Sequence, residues 1–310
     1  MVRRPNAVVA GGAVCQWLSL EEALHHFATS DGPTQSQQHI KPLHWYVASR
    51  LVLEGGFHPD EVTPRPPFAV QRKNNRNELT FDPGSASGGE RTILGGLKTK
   101  NVDVVVTKEG IGPVLAVSCK GMTRAFRNLT NRMEETIGEC TNLHITYPAM
   151  VFGYMFVVRA NRPLTEAAAE LADGNATARQ LAANDMAILE GGMPIESIVR
   201  FHAAMRELTG RRGIRDDVSR YEAVAIAMIE PTGENAGSVL GDFPAEDSPL
   251  RIDRFFQTLY LRYDERYVFG APDLQATTRR KAWTMPRQLS LDPSQYPDID
   301  YEPRVDVSAI

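Results

Sequence analysis

The chain lacks most features that mark a specialised protein class. Only three of its 310 residues are cysteine, at positions 15, 119 and 140. They are widely spaced and odd in number, which excludes a disulfide framework and suits a reducing, cytoplasmic compartment. There is no CxxC pair and the seven histidines are scattered, so no zinc spacing can be assigned. No apolar run approaches the roughly eighteen residues of a membrane span, and no membrane partner is expected. The start, MVRRPNAVVAGGAVCQWLSLEE, is basic and then briefly apolar. Gly11 and Gly12 break its apolar part, so no export signal is expected. Excess charge is also lacking: 34 Lys and Arg against 38 Asp and Glu leave a net charge of −4. That excludes a passive coat for a polyanion, but not an enzyme with a local basic cleft.

What is present is an ordinary globular composition. The hydrophobic share of 42% and charged share of 23% are enough for a buried core with a solvated surface. No internal repeat or low-complexity linker divides the chain. We expect residues 1–285 to form one domain with N-terminal helices and a helical C-terminal half. Residues 286–310, with prolines at 286, 293, 297 and 303, are expected to form an extended C-terminal tail.

A short helix is predicted after a Ser19 cap, over residues 20–28. A second spans 42–54, with Pro42 in its first turn and Gly55-Gly56 as its stop. Residues 59–67 read as a proline-rich turn, and the polar, glycine-rich stretch 74–89 as a mobile loop. Leu129, Met133, Ile137 and Cys140 recur at helical spacing and predict an amphipathic helix. Residues 149–158 (AMVFGYMFVV) are continuously apolar and suit a central strand covered on both faces. Helices are expected over 164–171, 178–189, 195–208 and 253–266, and a buried strand over 222–229. The order predicts an α/β fold with a central mixed sheet flanked by helices.

The chemistry concentrates between residues 101 and 135, NVDVVVTKEGIGPVLAVSCKGMTRAFRNLTNRMEE. Val102, Val104–Val106, Val114 and Val117 favour strands, and Gly110, Gly112 and Pro113 punctuate a turn. Such a hairpin brings Asp103 beside the segment Ser118–Lys120. Ser118 and Lys120 share one face of their strand, and Cys119 points to the other. Lys120, Arg124, Arg127 and Arg132 follow with no intervening acid.

This stretch resembles the PD-(D/E)xK nuclease superfamily, which includes most type II restriction endonucleases. The resemblance covers about a tenth of the chain and implies a restriction-endonuclease-like mixed sheet. Val102 stands where the family has proline before the aspartate. Ser118 stands where it has an acid two residues before the lysine. The restriction enzymes that cut around a CCGG core share Ser-x-Lys and carry a compensating glutamate on the next helix, at the spacing of Glu134 here. The resemblance therefore implies Asp103 and Glu134 as ligands of Mg²⁺, Lys120 as the catalytic lysine, and Ser118 as a hydrogen-bond partner of a metal-bound water. Arg124 and Arg127 take the places of two guanine-reading arginines. Phe126 replaces the aspartate between them, so the base code does not carry over.

Glu135 is the neighbouring alternative to Glu134. One residue turns a helix by about 100°, so only one of the two can face Asp103. Glu54 is a candidate outer carboxylate from the second helix; an exposed helix-end glutamate is the simpler reading. Arg124 and Arg127 are suited equally to base readout and to clamping phosphate.

Three functions follow as expectations. The first is a Mg²⁺-dependent, sequence-specific endonuclease of double-stranded DNA, of the type II restriction kind, acting as a homodimer or larger homo-oligomer because two-fold symmetry matches a near-palindrome. The second is a defence nuclease without sequence specificity. The third is a non-catalytic nucleic-acid-binding protein in which Asp103 and Lys120 form a structural ion pair.

Overall fold

The computed structural model describes residues 19–31, 37–163, 182–284 and 299–306. Two helices open it, α1 (Leu20–Thr29) and α2 (Lys41–Leu53). The Ser19 hydroxyl caps α1 by accepting from the Glu22 N–H, satisfying one of the amides that a helix start leaves without a partner. Strands β1 (Val62–Thr63), β2 (Phe68–Lys73), β3 (Arg76–Phe81), β4 (Arg91–Leu94), β5 (Thr99–Val102), β6 (Val104–Lys108) and β7 (Gly112–Met122) follow. Then come α3 (Leu129–Thr146), β8 (Val151–Arg159), α4 (Glu196–Glu207), β9 (Ala223–Ile229) and α5 (Phe255–Tyr263), the last continued by a π-helical stretch over Asp264–Phe269.

The fold is α/β, with a mixed five-stranded sheet in the order β1-β6-β7-β8-β9. Strands β1, β6 and β7 pair antiparallel, and β7, β8 and β9 pair parallel. A parallel pair needs a crossover, and α3 supplies it between β7 and β8. All nine residues of β8 and all seven of β9 are buried, because helices cover both faces. Alternation along the strands sorts the core. Val104, Val117, Cys119, Met155 and Ala225 pack with α1, α2 and α5. Val105, Ala116, Tyr154, Phe156 and Ile226 pack on the other face with α3 and α4. Ser118 and Lys120 alternate with Cys119 and so belong to the α3 face.

Several expectations change. Residues 74–89 are not a loop throughout: β2 and β3 pair along Phe68–Lys73 and Arg76–Phe81. Asn74 and Asn75 both have positive φ, as a two-residue hairpin turn of matching twist requires. The segment reads as polar because this two-stranded sheet buries only Phe68 and Leu79. Residues 91–102 fold into a second hairpin, β4–β5. The inward face of α3 carries Leu129, Thr136, Glu139, Cys140, Asn142 and Leu143, while Ile137 is exposed. The apolar spacing misplaces this face because polar residues facing the sheet have dedicated partners.

Residues 299–306 are extended but packed. Trp283 bridges Val305, the Tyr46 hydroxyl donates to Asp300 at 2.7 Å, and Tyr301 lies against the Arg50 guanidinium. The N-terminal stretch before Ser19, the expected helix over 164–171, the first four residues of that over 178–189 and the greater part of the tail lie outside the described residues. Within 182–189 the backbone forms a 3-10 turn at Ala183–Asp185 and is otherwise non-helical. Among the described residues, no helix is long and apolar enough to cross a membrane.

Candidate active site

Asp103 occupies a single-residue break between β5 and β6. The β6–β7 register pairs Val104 with Val117, and one further step places Asp103 opposite Ser118. The carboxylate is 1% exposed. Its Oδ2 accepts from the Cys119 N–H at 2.7 Å, from the Lys120 ammonium at 2.7 Å and from the Ser118 hydroxyl at 3.3 Å. The expected gathering of Asp103, Ser118 and Lys120 at one end of the hairpin is what the backbone produces.

Glu134 is not part of this group. It is exposed on α3. Glu139, five residues on, is turned about 140° around the helix axis and faces the sheet. It is 4% exposed, and its Oε2 lies 3.3 Å from the Ser118 hydroxyl and 3.7 Å from the Lys100 ammonium on β5. Its Oε1 is buried without a hydrogen-bond partner. Glu135, one turn before Glu139, lines the adjoining cleft and lies 3.8 Å from Lys100. Glu139 and Lys100 are thus among the residues that sequence reasoning missed. The available signal was the polar series Thr136, Glu139 and Asn142 at spacings of three within an otherwise helical pattern.

Glu54 is also elsewhere. It sits ten residues along α2 from His44, about 15 Å, and pairs with Arg50 at 2.8 Å. It is neither an outer ligand nor an exposed helix end, since it is buried with Arg50 and accepts from the Gln257 amide. The residue of α2 that reaches the site is His44. Its Nε2 lies 3.8 Å from Asp103 Oδ1 and has no hydrogen-bond partner.

The electrostatics follow from burial and pairing. Burial alone would raise the Asp103 carboxyl, but His44, Lys120 and the Cys119 N–H outweigh it and hold the carboxyl below its ordinary range. Burial lowers His44, so Lys120 is the cation that stays charged beside Asp103 near neutral pH. For Lys120, burial is outweighed by the charges of Asp103 and Glu139 and by its hydrogen bond to Asp103, which hold the ammonium firmly protonated. For Glu139, burial prevails over Lys120 and Lys100, and its carboxyl is raised.

The cleft beside this group has a volume of about 600 Å³. Lys98, Lys100, Lys120 and Arg132 line it together with Glu90, Asp103 and Glu135. Among the described residues, no group of three or more His, Cys, Asp or Glu side chains forms a ready metal cage. Two carboxylates nevertheless converge on one hydroxyl, and one of them carries an orphaned buried oxygen. This hard-oxygen set suits an ion such as Mg²⁺, which keeps several waters and needs few protein ligands.

Arg124 and Arg127 lie beyond Lys120, in the connection from β7 to α3 rather than on the helix itself. Arg124 is half-buried and Arg127 exposed. Between them Ala125 takes a left-handed φ of 57°, and Phe126 is buried in the core. The buried Phe126 explains why the position between the arginines is apolar.

No family model matches the chain, and no curated protein or solved structure matches it. What the site can do is set by its own geometry.

Proposed function

We propose that the protein is a metal-dependent nuclease acting on double-stranded DNA. The observation that carries this reading is the convergence of Asp103 and Glu139 on Ser118, with the Lys120 ammonium 2.7 Å from Asp103, at the wall of a cleft lined by further cations. Hydrolysis of a phosphodiester forms a bond from a water oxygen to phosphorus and breaks one P–O ester bond. A proton leaves the water and the departing oxygen acquires one. A bound Mg²⁺ would make the water more acidic and withdraw charge from the phosphate.

Asp103 and Glu139 are the residues that would hold the ion, with Glu139 taking the role expected of Glu134. Ser118, between the two carboxylates, would hold a coordinated water in place. Lys120, held protonated, would stabilise charge that builds on the phosphate oxygens. That favours an electrostatic role for Lys120 over a role as base. Lys98, Lys100 and Arg132 would meet neighbouring phosphates.

Sequence specificity of the type II restriction kind, and the two-fold homodimer that suits it, form the finer part of this proposal. They rest on Arg124 and Arg127 beyond the catalytic strand and on the resemblance of the Asp103–Lys120 stretch. Digestion of phage DNA tests the reading: cleavage in Mg²⁺ and none in EDTA is expected. Discrete fragments indicate site specificity, and a smear indicates a non-specific nuclease. Binding without cleavage in any divalent ion overturns the catalytic proposal. It would favour a non-catalytic DNA-binding protein, for which the close Asp103–Lys120 pair is a structural ion pair.

A further inference from the structure

The tip of the β4–β5 hairpin presents an apolar side chain in a way that folding alone does not require. Leu97 is 75% exposed and Leu94 63% exposed. Exposed leucines are common on protein surfaces, but the backbone that carries this one is anchored. The Asn142 side chain of α3, 1% exposed, accepts from the Leu97 N–H at 2.7 Å and the Lys98 N–H at 3.0 Å, and donates to the Lys98 carbonyl at 2.9 Å. The Gly96 N–H donates to the Asn142 backbone carbonyl at 2.8 Å. Two glycines allow this close approach. A Cβ at Gly95 would lie 2.1 Å from Asn142 Nδ2, and one at Gly96 would lie 2.2 Å from the Ile145 side chain. A buried asparagine thus fixes a turn whose one apolar side chain is exposed to solvent.

The position of the tip gives the leucine a use. Lys98, Thr99, Lys100 and Asn101, the residues immediately after it, line the cleft beside Asp103. An exposed leucine beside two lysines at the rim of a cationic cleft fits a nucleic-acid ligand better than a protein one. The lysines can meet phosphates, and the apolar chain can enter between base steps, as apolar wedges do when they unstack a duplex.

We propose that Leu97 is a wedge that inserts into the base stack of duplex DNA bound in the cleft, held for that purpose by Asn142. The inference rests on the nuclease reading for its ligand. It adds that the substrate is a duplex distorted on binding, so that a locally unstacked duplex binds more tightly than a fully paired one.

The test is equilibrium binding by fluorescence anisotropy in EDTA. It uses one labelled duplex of mixed sequence and the same duplex carrying a single-base bulge. The wild-type protein is expected to prefer the bulged duplex by about tenfold, because unstacking there is already complete. Leu97→Ala is expected to bind both duplexes alike, at the wild-type affinity for the paired one or weaker, with an unchanged thermal midpoint. Lys98→Ala should weaken both equally and keep the preference. A wild-type protein that binds both duplexes alike, or a Leu97→Ala variant that keeps the preference, overturns the wedge. If Leu97→Asp turns a dimer into a monomer by light scattering, the tip is a subunit contact and the wedge is also overturned. Cleavage is scored separately in Mg²⁺: a bulge preference without cleavage removes the nuclease reading alone, and cleavage without the preference removes the wedge alone.

Discussion

Replacing Glu139 by glutamine separates the chemistry of the site from its packing. The two side chains have nearly the same shape, so the contacts with Ser118 and Lys100 are perturbed little. The charge needed to hold a cation is removed. Loss of one such group typically removes about 3–4 kcal/mol of transition-state stabilisation, or about 10²–10³-fold in rate. Glu139→Gln should therefore cleave DNA about 10²–10³-fold more slowly. Glu134→Gln, on the exposed side of α3, should remain near wild type.

Stability should move the other way. Burial raises the Glu139 carboxyl above its ordinary value of 4.5, so the native state binds more protons than the unfolded one above that pH. By linkage, this residue makes wild-type stability fall as pH rises from about 4.5 through the raised native value. Glutamine does not titrate. Urea denaturation in EDTA should find the variant close to wild type near pH 4.5 and increasingly the more stable of the two as pH rises. Wild-type-like cleavage by Glu139→Gln, or a stability gap that does not widen with pH, would refute this placement of the carboxylate.

Asp103→Asn leaves the half-buried Lys120 ammonium without its closest partner. It should cost about 3 kcal/mol of stability in urea titrations and abolish cleavage. Because the native carboxyl is held below its ordinary value, the stability from Asp103 is present above that value and is lost as pH falls through the native pKa. Glu222 does not line the cleft and is fully buried between Arg211 at 2.8 Å and Arg266 at 2.6 Å; Glu222→Gln should cost about 3–5 kcal/mol without altering the rate of the protein that remains folded. Removing Arg124 or Arg127 should cost about 1–3 kcal/mol and relax preference at particular base pairs if they read bases. If they clamp phosphate, binding to all duplexes should weaken alike and the salt slope should fall by about one unit per arginine.

The elements most legible in the sequence are those where one periodicity or cap dominates. Ser19 and Pro42 mark helix starts, and β8 and β9 read as buried strands because both of their faces are apolar. The hairpin partnership of Asp103 with Ser118 and Lys120 follows from strand alternation and a glycine turn. Legibility ends where polarity and burial part company. On α3, Thr136, Glu139 and Asn142 face inward because the sheet and the β4–β5 hairpin give them partners, whereas Ile137 faces out. A hydrophobic stripe drawn through Ile137 misplaces the buried face, and Glu134, which came forward through the spacing that the resemblance implies, lies outside that face. Glu54 was misplaced for a related reason: its partner Arg50 is one turn back on the same helix, and their shared burial depends on Phe256 and Tyr301, far along the chain. The β2–β3 hairpin was hidden by exposure, since a strand with little to bury shows little alternation.

The central claim is that Asp103, Lys120 and Glu139 form one metal-dependent phosphodiesterase centre. Conversion of supercoiled plasmid to nicked and linear forms tests it most directly, with wild type and Lys120→Ala assayed side by side in Mg²⁺ and in EDTA. The account predicts conversion by wild type in Mg²⁺ alone, and none by Lys120→Ala although it still binds DNA in Ca²⁺. Equal conversion by both proteins, or conversion by wild type that persists in EDTA, would contradict it.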